Sequence, residues 1–323
     1  MNCNQAKTSR RRPAGSAKGG YGKRTKRCQL QNPAQTRKRC LTPWPFASFR
    51  VRARDSGKAP LFMPRPQNRR FRPLRGKPRD PRRTADSDRI LLYGLHAVEA
   101  AIVNPNRTIG RLFATENAAR RLDSALKARG ATVEFAIPRQ LDRLLGPDAV
   151  HQGVVLETAL LPPVELEELR PEGIFLVLDQ VTDPQNVGAV LRSAAVFGAT
   201  ALVMPERHSP PLTGALAKAA SGGLDIVPVI LVRNLSQALG HLGDAGILRV
   251  GLAEEGSALL EDTELTLPLA FVLGAEGKGL RQLTRETCNR LCRISTKRPL
   301  ASLNVSNAAA IALHWARATA RAR

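Results

Sequence analysis

The chain has 323 residues, with 50 Lys and Arg against 27 Asp and Glu and a formal net charge of +23. That length accommodates about two domains with ample material for a core, and no apolar run approaches the length of a membrane span. The five cysteines (Cys3, Cys28, Cys40, Cys288 and Cys292) have no further Cys or His at zinc spacing, so neither a metal centre nor a disulfide framework is expected, and the chain reads as one from a reducing compartment.

Charge is unevenly distributed. Residues 1–88 carry 25 Lys and Arg and 4 acids, a net of +21, which leaves +2 for residues 89–323. Pro, Gly, Arg and Lys dominate this segment, which cannot bury enough apolar area to offset ordering and is expected to be a disordered basic tail. A block so one-sided suits phosphate backbones better than mere solubility, pointing to nucleic acid. The same composition is compatible with an Arg-rich, acid-poor organelle leader, and a true start at Met63 would remove most of the segment.

Residues 89–160 alternate short apolar runs with amphipathic stretches. Strands are expected at 90–94, 111–115, 132–137 and 154–160, with helices at 95–103, 118–129 and 139–145. This small α/β unit offers no nucleophile–base pair, and lone His151 reads as structural, so a binding module is expected. Residues 161–172, with Pro162-Pro163 and the acidic run 165–168, read as a linker.

The second domain, 173–323, opens with the continuous apolar run Ile174-Phe175-Leu176-Val177-Leu178, the composition of a buried parallel strand. Strands at 200–204, 226–231, 248–252, 269–273 and 291–294, with helices between, predict an α/β fold with a parallel sheet covered on both faces. Cys288 and Cys292 fall on an expected helix end. Three loops stand out. The first strand runs into Asp179-Gln180-Val181-Thr182-Asp183-Pro184-Gln185-Asn186-Val187-Gly188, with Asn186 near a helix start and Arg192 six residues on. Arg192 has apolar sequence neighbours on both sides, so it is expected to be embedded and to need a phosphate or carboxylate partner. The second loop is Gly274-Ala275-Glu276-Gly277-Lys278-Gly279, and the third is Ser302-Leu303-Asn304-Val305-Ser306-Asn307 ahead of an alanine-rich helix. Neither the phosphate-loop nor the dinucleotide glycine spacing fits the second. Small residues at strand carboxyl ends nevertheless allow close backbone approach to a ligand.

Taken together, these three segments resemble the motifs of the SpoU (TrmH-like) RNA ribose methyltransferases of the SPOUT superfamily. Tyr93-Gly94-Leu95-His96-Ala97 and His151-Gln152-Gly153 resemble that family's ribosomal-protein-like substrate-binding domain. The resemblance implies S-adenosylmethionine as methyl donor, a C-terminal trefoil knot, a homodimer whose interface helps build the site, and a 2′-O-methylated ribose as product. Carried over by position, Gly274, Ile294 and Leu303 are expected at the cofactor, and Asn186, Arg192, Glu276, Ser302 and Asn304 in the active site. Guanidinium is too basic to act as a general base, so Arg192 is expected to clamp the phosphate next to the target ribose. Glu276 would hold Arg192 or Asn186, and Ser302 and Asn304 would orient the hydroxyl or the cofactor carboxylate. One departure is that residues 295–301 lack the family's usual Pro-Met and glycine, and Lys297-Arg298 add charge there. The layout resembles the branch that modifies a guanosine of 23S, large-subunit rRNA, in a bacterial-type cytoplasm. A tRNA guanosine methyltransferase and a non-catalytic RNA-binding or ribosome-assembly protein are the alternatives.

Overall fold

The computed structural model describes residues 89–297 and 302–322, with side chains as far as Ala320. The expectations for the basic segment 1–88, including Met63 and three of the cysteines, and for Arg298, lie outside the described residues.

Element β1 (Arg89–Tyr93) turns through Gly94 into α1 (Leu95–Val103), followed by β2 (Ile109–Ala114), α2 (Glu116–Arg129), β3 (Glu134–Phe135), α3 (Pro138–Leu145) and β4 (Val154–Ala159). These strands form a sheet in the order β1-β4-β2-β3, with β4 antiparallel to β1 and β2. Helix α2 begins where Thr115 Oγ1 accepts the Ala118 N–H and ends at left-handed Gly130, a side-chain cap at one end and a glycine stop at the other. His151 is structural, as expected. Its Nδ1 accepts the Gly153 N–H at 2.9 Å, and Nε2 lies 3.1 Å from Asp142 Oδ1. The strand expected over 132–137 contracts to two residues because the Ile137 N–H is taken by Gln140 Oε1 as α3 begins.

The connecting residues are not a bare tether. A 3-10 turn at Leu166–Glu168 buries Leu166 against the apolar core of the following sheet. An apolar side chain inside an acidic run thus pins the crossing.

Next come β5 (Ile174–Asp179), α4 (Pro184–Phe197), β6 (Ala201–Pro205), α5 (Gly214–Ala220), α6 (Gly223–Ile226), β7 (Val229–Val232), α7 (Leu235–Asp244) and β8 (Leu248–Leu252). They are followed by β9 (Ala258–Leu259), β10 (Thr266–Leu267), β11 (Leu269–Gly274), α8 (Gln282–Thr287), β12 (Arg290–Arg293), α9 (Val305–Thr319) and β13 (Arg321–Ala322). Seven strands form one parallel sheet in the order β7-β6-β5-β11-β8-β12-β9. Residues of β5, β6 and β11 alternate between two apolar cores, one per face, so these central strands read as unbroken hydrophobic runs. Two expectations are corrected. Ile226 closes α6 and the strand begins only at Val229, and Cys292 lies in β12, leaving Cys288 alone at the end of α8.

The two sheets are joined by a buried ion pair. Arg107, after α1, meets Asp225 of α6 through Nε to Oδ1 at 2.9 Å and Nη2 to Oδ2 at 3.2 Å, and the two side chains are 1% and 2% exposed. Asn104 Nδ2 adds a bond to Asp225 Oδ1 at 3.1 Å, and Arg107 Nη1 donates to the Ala159 carbonyl at 3.0 Å. Those bonds satisfy much of the hydrogen-bonding capacity of the buried charges, as burial requires.

Candidate functional site

Three of the strand ends that matter are adjacent in the sheet, because β11, β8 and β12 are neighbours and β5 flanks β11. Their carboxyl-end loops therefore converge, the position at which open parallel sheets bind ligands.

The first segment leaves β5 at Asp179. Asp183 caps α4, its two carboxylate oxygens accepting the N–H groups of Gln185 and Asn186 at 3.1 Å each, and Pro184 occupies the first turn, where a missing N–H costs nothing. Asn186 is thus released from capping and its side chain is free for other work. Gly188 is required by packing: a Cβ there would lie 2.4 Å from Ala219 Cβ and 2.8 Å from the Leu216 carbonyl of α5. Val187, Val190, Leu191 and Ala194 form the buried face of α4, whereas Arg192 is exposed and Val196, one turn on, is 68% exposed. The expectation that Arg192 is embedded is therefore corrected. Its apolar sequence neighbours point to the other side of the helix, since adjacent residues on an α-helix are about 100° apart. Among the described residues Arg192 makes no hydrogen bond or ion pair.

The second segment closes on itself. Gly279 N–H donates to the Ala275 carbonyl at 2.8 Å, with Gly277 and Gly279 at φ 77° and 63°. A Cβ on Gly274 would lie 2.1 Å from the Gly279 carbonyl carbon, so the loop can fold back only over a glycine. Its exit is anchored by Asp179, which is fully buried and accepts from Arg281 Nε at 2.7 Å and from the Arg281 backbone N–H at 3.0 Å.

Asn304 caps α9, its Oδ1 accepting from Ser306 N at 2.9 Å and Ser306 Oγ at 2.5 Å. Asn304 Nδ2 donates to Glu276 Oε1 at 2.6 Å and to Asn186 Oδ1 at 2.9 Å, and Asn186 Nδ2 donates to the same Glu276 oxygen at 3.1 Å. One residue from each of the three sequence segments thus meets in a closed triangle. Glu276 holds Asn186, as one of the two expected arrangements had it, and makes no contact of this kind with Arg192 among the described residues. Asn304 uses both oxygen and nitrogen within the protein, so it acts as a strut between the other two. Glu276 Oε2 and Ser302 Oγ carry no hydrogen bond among the described residues.

Beside this triangle is an open cavity of about 460 Å³, within the usual range for a small-molecule site. Gly274, Glu276, Ile294, Ser302 and Leu303 line it; Asn186 and Asn304 are joined to it through Glu276, and Arg192 is not among its lining residues. Leu252, Leu259 and Leu273 supply apolar wall, and Glu254, Glu255 and Lys278 supply charge. Glu255 accepts the N–H of its own backbone, which holds its carboxyl below the usual range, and the nearby Arg285 acts in the same direction. Apolar walls, exposed loop backbone and carboxylates fit a nucleoside joined to a cationic amino-acid moiety, the composition of S-adenosylmethionine. Among the described residues no group of three metal-ligating side chains is found, and no helix is long and apolar enough to cross a membrane.

Sequence reasoning missed two anchors of this site. Asp179 opens the first motif, and its role was visible only as an acid at the end of an apolar strand; its partner Arg281 carried no signal. Glu261, which bonds to Ser295 at the cavity wall, lies in a stretch of mixed polarity between very short strands.

Comparison with known proteins fits this geometry. The SpoU rRNA Methylase family matches residues 173–314, and the family described as RNA 2′-O ribose methyltransferase substrate binding matches residues 91–164. The 23S rRNA (guanosine-2′-O-)-methyltransferase RlmB of Ralstonia nicotianae is 41% identical over 231 residues, covering 69% of this chain and 93% of its own. The RlmB of Pseudomonas putida is 37% identical over 233 residues, with 69% and 93% covered. Among solved structures, an RNA 2′-O ribose methyltransferase aligns with TM-score 0.60 at 26% identity, over 73% of this chain and 90% of that one. The SpoU methyltransferase AviRb from Streptomyces viridochromogenes, in complex with the cofactor AdoMet, aligns with TM-score 0.61 at 24% identity, over 72% and 91%, and bears on the fold alone. With its three motif segments joined by the Asn186–Glu276–Asn304 triangle and a relative of this similarity matched over nearly its whole length, the chain belongs to the SpoU rRNA methylase family.

Proposed function

We propose that this protein transfers a methyl group from S-adenosylmethionine to the ribose 2′-hydroxyl of a guanosine in 23S rRNA. The observation that carries this reading is the Asn186–Glu276–Asn304 triangle. It joins three segments far apart in sequence at the edge of a glycine-walled cavity. The two relatives named above act on a 23S rRNA guanosine by their names, which favours that substrate over tRNA. A non-catalytic assembly protein has no use for so many polar side chains converging on one cavity.

Each group has its own part in the transfer. Gly274, Ile294 and Leu303 hold the cofactor through backbone and apolar contacts. When bound, it supplies a methyl group already activated on a sulfonium. The protein's own task is alignment, which contributes roughly 7–11 kcal/mol in well-oriented reactions. Arg192, permanently charged and unpaired among the described residues, clamps the phosphate beside the target ribose. The triangle fixes Glu276 so that its second oxygen faces incoming RNA in one orientation, and Ser302 Oγ orients the 2′-hydroxyl. The hydroxyl proton passes to the clamped phosphate or to water.

Residues 89–160 serve as the RNA-binding unit, 161–172 as the connection and 173–323 as the catalytic domain, with the segment through β12 and α9 threaded as a trefoil knot. The basic segment 1–88 adds phosphate contacts. Two copies pair through the α4 and α9 faces, a reading supported by exposed Val196 and Ile311. Pairing brings Arg192 to a cavity that it does not line in its own chain. The substrate implies action where ribosomes are made, the cytoplasm for a bacterial-type enzyme.

The test is methyl transfer from labelled S-adenosylmethionine to protein-free 23S rRNA and, separately, to bulk tRNA. Label in an rRNA guanosine ribose is the expected result. Label confined to tRNA would move the protein to another substrate, and no transfer to rRNA, free or in pre-ribosomal particles, would overturn the assignment.

A further inference from the structure

The cavity wall that follows β12 extends past the end of its strand. Backbone pairing holds β12 as far as Arg293, with Cys292 opposite Ala258 and Arg293 opposite Leu259 of β9, and with the Leu260 N–H donating to the Arg293 carbonyl at 2.9 Å. Ile294 and Ser295, the next two residues, line the cavity, and no strand partner continues beside them. Ile294 packs against the apolar core, and what holds Ser295 beyond it is one carboxylate. Glu261 Oε1 accepts the Ser295 N–H at 3.1 Å and the Ser295 hydroxyl at 2.9 Å. Among the described residues, Thr296, Lys297, Ser302 and Leu303 make no hydrogen bond, so this pair of bonds is the last fixed point of the wall on that side.

Glu261 is itself held in place. It sits between β9 and β10, where the Thr263 N–H bonds to the Leu260 carbonyl and Thr263 Oγ1 to the Leu259 carbonyl. Its other oxygen, Oε2, is buried without a hydrogen-bond partner among the described residues. Burial pushes the carboxyl up, and bonds from its own backbone and from both donors of Ser295 outweigh that, leaving it below the ordinary value and ionised. A buried, unpartnered oxygen is costly, and the two bonds that Ser295 makes to the other oxygen offset part of that cost.

We propose that Glu261 is a positioning residue for the methyl donor: by gripping Ser295 it fixes the backbone of Ile294 at the cofactor, without touching cofactor or RNA. This rests on the reading of the cavity as the S-adenosylmethionine site. Two charge-assisted bonds converge on the residue next to Ile294, so their loss frees the wall and lowers affinity for the donor, leaving RNA recognition and the transfer step intact once the donor is bound.

The experiment uses the full chain and compares wild type with Glu261→Ala, Glu261→Gln, Ser295→Ala and the Glu261→Ala/Ser295→Ala double variant, each checked by thermal unfolding. S-adenosylmethionine dissociation constants come from calorimetry, and kcat and KM for both substrates from methyl transfer. Glu261→Ala is expected to weaken donor binding about tenfold, the scale of losing charge-assisted hydrogen bonds, with kcat at saturating donor and KM for RNA near wild type. Glu261→Gln keeps an acceptor oxygen and is expected to recover most of the affinity. Ser295→Ala should weaken binding in the wild-type background and add nothing to Glu261→Ala. Unchanged donor affinity in a folded Glu261→Ala protein, or full additivity of the two alanine variants, would overturn the inference. Wild type that binds no S-adenosylmethionine would instead overturn the reading of the cavity beneath it.

Discussion

Arg281 grips Asp179 twice, through Nε at 2.7 Å and through its own backbone N–H at 3.0 Å, and so ties the loop after β11 to the end of β5. Asp179 is fully buried while the Arg281 side chain is 47% exposed. Removing the arginine side chain therefore strands a carboxylate in the core, whereas removing the carboxylate returns a cation to water. Arg281→Ala is expected to cost about 2–3 kcal/mol, somewhat less than a pair buried on both sides. It should also weaken S-adenosylmethionine binding by loosening the Gly274–Gly279 turn. Urea unfolding and calorimetry measure the two effects, and a variant as stable as wild type would show that the bond is incidental.

The Arg107–Asp225 pair is buried on both sides and joins the two sheets. Either single alanine substitution leaves an unpaired buried charge and is expected to cost about 3–5 kcal/mol, whereas Arg107→Met combined with Asp225→Leu should cost much less, since apolar replacement of both partners is often near neutral. Chemical denaturation of the three variants decides this; a double variant as unstable as the sum of the singles would refute it.

Arg192 lies exposed and Glu276 sits inside the hydrogen-bonded triangle, so their alanine variants should separate stability from turnover. Arg192→Ala is expected to keep its folding free energy within about 0.5 kcal/mol, as for exposed positions generally, and to bind S-adenosylmethionine nearly normally while losing methyl transfer. Glu276→Ala releases Asn186 and Asn304 together and should lower kcat by about 100-fold, the scale of misaligning reacting groups. Loss of donor binding in Arg192→Ala would contradict its assignment to the RNA phosphate.

The Cys288 thiol, at the end of α8 with Sγ 3.2 Å from the Thr284 carbonyl, is pushed up from 9.0 to about 11 by burial, with nearby Asp179 acting in the same direction and Arg249 against it. The folded value lies above the unfolded one, so the folded state favours the protonated thiol. Its contribution to stability is complete below about pH 9 and is lost as pH rises through about 11. Stability should therefore fall over that window, and Cys288→Ala should flatten the fall. Denaturation midpoints at pH 8, 9 and 10 measure it. A fall of equal slope in the variant would assign it to other groups.

Much of the catalytic half was legible in sequence because parallel strands buried on both faces must be continuous apolar runs. The runs beginning at Ile174 and Leu269 each coincide with an observed strand. The glycine, amide and carboxylate groups of the three loops likewise marked the strand ends where a ligand belongs. Local pattern failed where spatial direction mattered. Arg192 has apolar neighbours in sequence yet points outward, and the strand expected from Ile226 begins three residues later because a helical turn intervenes.

Residue types and their order alone thus determined the parallel α/β architecture and the basic segment, since periodicity and composition are properties of the chain itself, whereas the candidate site groups came from the resemblance of three segments to a family's motifs. Which of those groups touch was decided only by the tertiary structure. The strand order placed β5, β11, β8 and β12 side by side and brought Asn186, Glu276 and Asn304 to one point, and it set Glu261 against Ser295 and Asp179 against Arg281. Contacts between residues tens of positions apart follow from how sheets stack and helices cross, and no local pattern in the sequence encodes them.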